Sequence, residues 1–214
     1  MARARRIKMR RSLRFLSPSL IRATLPVFLV AFFLSPRLCA QESVFVLDSA
    51  KSTLEFTLGA TMHTVHGTFK VKSGEIHFDS TKGTASGAIL VDALSGESNN
   101  EGRDKKMHQE VLESPKFSEI LFVPSRVEGT IAEQGTSQVA VTGVMKLHGQ
   151  DHAMTLNFAV QSGIAGQIQA TTRFSVPYVK WGLKNPSTFL LHVTDTVDVD
   201  VHASGQLSSG PAKH

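Results

Sequence analysis

Cysteine is nearly absent: the 214 residues contain one, Cys39. It lies within the first 40 positions, so the body of the chain has no thiol for nucleophilic catalysis, redox exchange or a cysteine-held zinc. Tryptophan and tyrosine occur once each, and no recognisable nucleophile motif is present. The apolar stretch Leu25 to Leu34 is too short to cross a hydrocarbon core of about 30 Å at 1.5 Å per residue. Basic charge is missing where it would matter. The chain is formally +5, but nine of its 23 Lys and Arg and none of its 18 Asp and Glu fall in residues 1–40. The remainder holds 14 basic against 18 acidic side chains, which excludes a basic face for nucleic acid.

The basic excess instead belongs to a secretory signal. Arg3, Arg5, Arg6, Lys8, Arg10, Arg11, Arg14 and Arg22 form an extended basic region before the apolar stretch, and Ala40 supplies a small residue ahead of Gln41. That order predicts a signal peptide over residues 1–40 and export to the periplasm or beyond. A lipoprotein anchor on Cys39 would want a small residue before it, and Leu38 is not one. Arg10-Arg11 followed by Ser12-Leu13 resembles a twin-arginine signal, so the export route stays open.

Alternation dominates the rest of the chain. Leu54, Phe56 and Leu58 alternate with Thr53, Glu55 and Thr57; Val65, Gly67, Phe69 and Val71 with His66, Thr68 and Lys70; Val197, Val199 and Val201 with Asp198, Asp200 and His202. A period of two gives antiparallel strands with one apolar and one wet face. Strands are expected over 44–48, 52–60, 63–72, 75–79, 84–94, 119–133, 137–147, 152–162, 166–179 and 189–204. Turn residues separate them, including Lys72-Ser73-Gly74 and His148-Gly149. One helix interrupts the series within 95–118. Ser98 and Glu101 have capping-box spacing, Met107 and Val111 share a helical face, and Ser114-Pro115 ends the segment. The expectation is one all-β domain over 41–207 with one inserted helix, then a frayed tail at 208–214. A sandwich and a closed barrel both satisfy these faces. Ala85, Gly87 and Ala93 beside Ile89 and Val91 leave room on the apolar side, which favours a cavity.

Four ordered stretches carry a resemblance to the YceI-like, polyisoprenoid-binding domains of exported bacterial proteins. They are VHGTFKVKSGEIHFD (Val65 to Asp79), GRDKKMHQEVLESPKF (Gly102 to Phe117), VTGVMKLHG (Val141 to Gly149) and RFSVPYVKWGLKNPS (Arg173 to Ser187). Two places depart from the family pattern: TLGATMH at 57–63, and the reduced aromatic content at Phe117 to Ile120. The resemblance implies an extended, lipocalin-like antiparallel barrel of about eight strands. Its apolar tunnel would take an isoprenoid or other fatty-chain lipid, with no catalytic group and no cofactor. A homodimer and transient membrane contact are left open.

Interior candidates for lipid contact are Phe56, Phe69, Phe78, Ile89, Val91, Phe122, Leu156, Phe158 and Phe174. Arg103 either meets a lipid headgroup at the tunnel mouth or ties the helix to a neighbouring strand. Tyr178 and Trp181, in an irregular segment after Pro177, either line the entrance or pack one end. Asp198 and Asp200 share a wet strand face and read as solvation rather than acid-base chemistry. A competing reading treats the protein as metal-binding or as a metal-dependent hydrolase using His63, His66, His148 and His152. A third fills the interior with side chains and leaves an interaction module. If the signal is cleaved as expected, intact-mass analysis of the exported protein gives a chain beginning at Gln41.

Overall fold

A computed structural model describes residues 42–209, and the expected signal peptide lies outside them. Nine strands are present: β1 Ser43–Leu47, β2 Thr53–Ala60, β3 Thr64–Asp79, β4 Thr84–Glu97, β5 Glu119–Glu128, β6 Gly135–Leu147, β7 Gln150–Ser162, β8 Gln167–Val176 and β9 Val193–Ser209. The helix α1, Glu101–Lys106, runs on into a wider turn at Met107–Val111, where the Leu112 N–H donates to the Met107 carbonyl. Every strand pairing is antiparallel.

The sheet closes on itself through β3–β4 and β2–β9, so β2 to β9 form an eight-membered ring. β1 does not add a ninth position. It pairs with the later part of β3 and the last residues of β9, while β2 pairs with the earlier parts of the same two strands. β1 and β2 therefore lie end to end in one slot, separated by a single tight turn. That break is pinned to β9 at one residue, Ser204. Asp48 N–H donates to Ser204 O (2.8 Å), and Ser204 N–H donates to Ser52 Oγ (3.0 Å).

The alternation expected from the sequence is visible in burial. Along β8, Ile168, Ala170 and Thr172 are buried, whereas Gln167, Gln169, Thr171 and Arg173 are exposed. On the outside, Arg173 reaches both Asp198 and Asp200 of the neighbouring strand (3.5 and 3.7 Å), consistent with a solvated ion-pair face.

Several boundaries differ from the sequence expectation. Residues 63–72 and 75–79 fall in one strand, because Lys72-Ser73-Gly74 makes a bulge rather than a reversal. The pairing with β4 shifts between Val71 and Ser73 and then continues to Asp79. β5 stops at Glu128, and β8 stops at Val176 because Pro177 cannot continue the ladder. Residues 189–192 belong to a loop, and β9 continues to Ser209 within the stretch expected to fray. The helix cap is Asn100, whose side chain accepts from Arg103 N–H (3.0 Å), rather than Ser98. Ser98 is otherwise engaged: its N–H and its hydroxyl both donate to the Asp104 carboxylate.

Two glycines separate backbone strain from crowding. Gly87 in β4 has φ +103°, and a Cβ there would lie 2.1 Å from the Glu75 carbonyl oxygen; Gly135 has φ +89° with open space around it. Gly135→Ala should meet only the backbone penalty, about 1 kcal/mol. Gly87→Ala should be the more destabilising of the two because crowding adds to strain, as thermal denaturation of both variants will show.

Candidate functional site

The apolar faces of the ring do not fill its interior. A cavity of about 720 Å³ runs through the barrel, within the range of about 300–1,000 Å³ usual for small-molecule sites. The reading in which side chains plug the barrel is thereby overturned: closure at eight strands leaves an interior that alanines at 85, 170 and 203 do not occupy.

Eleven of the twelve sequence candidates line this cavity: Phe56, Phe69, Phe78, Ile89, Val91, Arg103, Phe122, Leu156, Phe158, Phe174 and Tyr178. They come from six of the nine strands, from the helix and from the segment after β8. Trp181 is elsewhere. Its ring stacks on His152 at 4.0 Å between centroids and 4° between planes, so it packs one end of the barrel rather than lining the cavity.

Polarity is unevenly distributed along the lining. The end bounded by the β3–β4, β5–β6 and β7–β8 turns presents Phe45, Phe78, Val127 and Ile131. The opposite end, beside α1, presents His63, Ser98, Asn100, Arg103, Lys106 and Thr188. In the wall between them Thr172 is an exception: it is 7% exposed, and its hydroxyl has no hydrogen-bond partner. Such a group is costly unless something bonds it, and it lines the cavity.

The polar end is held firmly. Arg103 donates from Nε to Ser98 Oγ (2.7 Å) and from Nη2 to Ser98 O (2.6 Å), tying the helix to the end of β4. His108 bonds the Gly96 carbonyl through Nε2 and Ser114 Oγ through Nδ1, both at 2.8 Å. Nε2 therefore carries a proton, because the carbonyl oxygen can only accept. Lys106 Nζ donates to Pro186 O (3.0 Å), and Lys184 pairs with Glu110 (2.6 Å), joining the helix to the loop between β8 and β9. Lys184 also holds the Glu110 carboxyl below the usual carboxylate range. Tyr178 gives its hydroxyl to Thr194 O (2.7 Å), and burial, reinforced by the Asp195 charge, pushes the phenol up to about 12. It stays protonated and structural at any physiological pH.

Sequence reasoning missed Asn100, Lys106, Thr188 and Leu191 as lining residues, and Thr172 as a buried hydroxyl. Thr172 carries a usable signal, since it stands on the apolar phase of β8 between Ala170 and Phe174. The loop residues follow no period that would reveal an inward face.

The four histidines do not assemble. His63 is at the cavity mouth, His66 bonds Thr57 on the outside (3.1 Å), His148 packs on Phe117, and His152 lies under Trp181. Among the described residues, no group of three His, Cys, Asp or Glu could hold a metal ion.

A closed antiparallel barrel with one capping helix and an apolar, ligand-sized interior defines a small class of β-proteins. Residues 45–204 match the family model for the YceI-like domain, and the chain belongs to that family. A UPF0312 protein of Vibrio cholerae is 25% identical over 197 residues, covering 86% of this chain and 98% of its own. One from Pseudomonas putida is 30% identical over 151 residues, covering 66% of this chain and 73% of its own. Among solved structures, a polyisoprenoid binding domain from Saccharophagus degradans superposes with a TM-score of 0.64 at 21% identity, over 77% of this chain and 98% of that one. BcnA from Burkholderia cenocepacia superposes at 0.60 and 15%, over 76% and 99%. These likenesses establish the fold.

The Trp181–His152 stack has a pH signature. Burial holds the His152 imidazole below its ordinary value, opposed weakly by Asp151. A depressed histidine stabilises the fold fully above its unfolded value of about 6.5 and loses that contribution as pH falls through the lower folded value. Fluorescence from the sole tryptophan should therefore show an acid transition centred below pH ~6.5, and His152→Phe should abolish it.

Proposed function

We propose that the protein binds a single long-chain amphiphilic lipid, an isoprenoid or a similar fatty chain, in the barrel cavity, and that it carries or sequesters this lipid without chemically altering it. The polarity gradient of the cavity is the observation that supports this reading most directly. An apolar tail buried toward Phe45, Phe78 and Ile131 leaves a polar head among Asn100, Arg103 and Lys106. Arg103 then has two roles, since two of its donors bond Ser98 while its side chain lines the mouth. The Thr172 hydroxyl adds a donor or acceptor for an oxygen further along the chain.

Ten methylenes at about 0.8 kcal/mol each give roughly 8 kcal/mol, near micromolar affinity before ordering costs. No catalytic group is needed for a binding role of this strength. The relative from Saccharophagus degradans, described as a polyisoprenoid binding domain, points to the same ligand class. The basic and apolar residues of 1–40 support a carrier that works in the periplasm or outside the cell.

Native mass spectrometry of protein purified without detergent should reveal a bound long-chain species, or uptake of an isoprenoid quinone analogue. Ala203 lines the cavity opposite Ala170 on the adjoining strand. Ala203→Phe should fill that space and weaken uptake roughly tenfold or more, about 1.4 kcal/mol, while far-ultraviolet circular dichroism stays that of a β-barrel. A wild-type protein that carries no chain and takes up none would refute the proposal.

A further inference from the structure

The largest exposed apolar side chains at the polar end of the barrel are Met62 at 87%, Phe189 at 102% and Leu190 at 85% exposure. They are held there by hydrogen bonds. Thr188 N–H donates to Leu191 O (2.9 Å) and Leu191 N–H to Thr188 Oγ1 (3.2 Å), which closes a turn with Phe189 and Leu190 at its apex. Such apices are usually built from Gly, Asn, Asp or Pro. The β2–β3 hairpin that bears Met62 is tied to the same loop: Thr61 N–H donates to His192 O (2.9 Å), and His192 N–H donates to Thr61 Oγ1 (2.9 Å). Two separate segments thus present one greasy tip.

The two segments themselves carry no fixed charge, although Lys106 of α1 reaches Pro186 O at the foot of the loop (3.0 Å). Residues 56–66 and 185–194 contain no Asp, Glu, Lys or Arg. A surface meant for water, or for a charged partner, has no reason to exclude both signs over two segments. A surface that enters a lipid interface does, because each buried charge would have to be dehydrated. The tip is also continuous with the cavity: His63, next to Met62, and Thr188 and Leu191, which frame the apex, all line it.

We infer that Met62, Phe189 and Leu190 insert into the interfacial layer of a phospholipid bilayer and set the cavity mouth against the membrane. A lipid chain then passes between bilayer and barrel without crossing water. This rests on the lipid-binding reading of the cavity, but vesicle binding by the tip can be measured independently of it.

The processed protein should co-sediment with phosphatidylethanolamine–phosphatidylglycerol vesicles. The Phe189→Ser/Leu190→Ser double variant should lose roughly tenfold or more of that binding, since interfacial affinity scales with the apolar area inserted. Both side chains are largely exposed, so the variant should keep the parent melting temperature. Ala203→Phe, altered only within the cavity, should still sediment with vesicles. An uncharged tip also predicts that binding survives high salt. Vesicle binding unchanged in the double variant, or abolished by salt, would overturn the inference. So would a wild-type dimer in analytical ultracentrifugation that the double variant dissolves while neither form binds vesicles, because the tip would then be a contact between copies. If wild type binds vesicles through the tip but takes up no lipid, the docking inference stands and the cavity reading fails.

Discussion

Ring closure is the constraint on which everything else in this protein depends. An open sheet of these strands would expose hydrogen-bonding edges and would need a second layer to cover its apolar face. Closing β4 onto β3 and β2 onto β9 removes those edges and turns every apolar face inward at once. With no disulfide among the described residues, the hydrogen-bonded ring and the side chains on its inner face hold the barrel together. The inner residues reconcile two demands that conflict in an ordinary core: they must exclude water from the wall and still leave volume in the centre.

Strand phase was highly legible. Alternation around Phe56, Phe69, Leu156 and Phe174 placed all four on the cavity side, because a residue on a strand has only two faces to choose between. Two local signals misled. Ser73-Gly74 has the chemistry of a turn, yet a bulge uses the same residues, and the outcome is decided by a partner strand long enough to accompany β3 throughout. Ser98 has the right spacing to cap the helix, but Asp104 and Arg103 compete for it and leave the cap to Asn100.

The mouth was the least legible part for a different reason. Apart from Arg103 and Lys106 on α1, its residues come from loops, where direction is set by individual hydrogen bonds rather than by a period. Trp181 and Tyr178 illustrate this. They are three residues apart in one irregular segment, yet Tyr178 faces the cavity and bonds Thr194, while Trp181 lies over His152. No pattern in the sequence distinguishes them.

The split slot shared by β1 and β2 has a bearing on how the chain tolerates trimming. The five residues of β1 are all that cover the later half of β3 and the end of β9 on that side. Shaving them away would leave the other eight strands closed at the helix end but unzipped at the far end. Two bare ribbon borders would then face each other across a gap one strand wide. Those borders would accept a matching strand from another molecule, so the five residues of β1 guard against polymerisation as well as forming a piece of the wall.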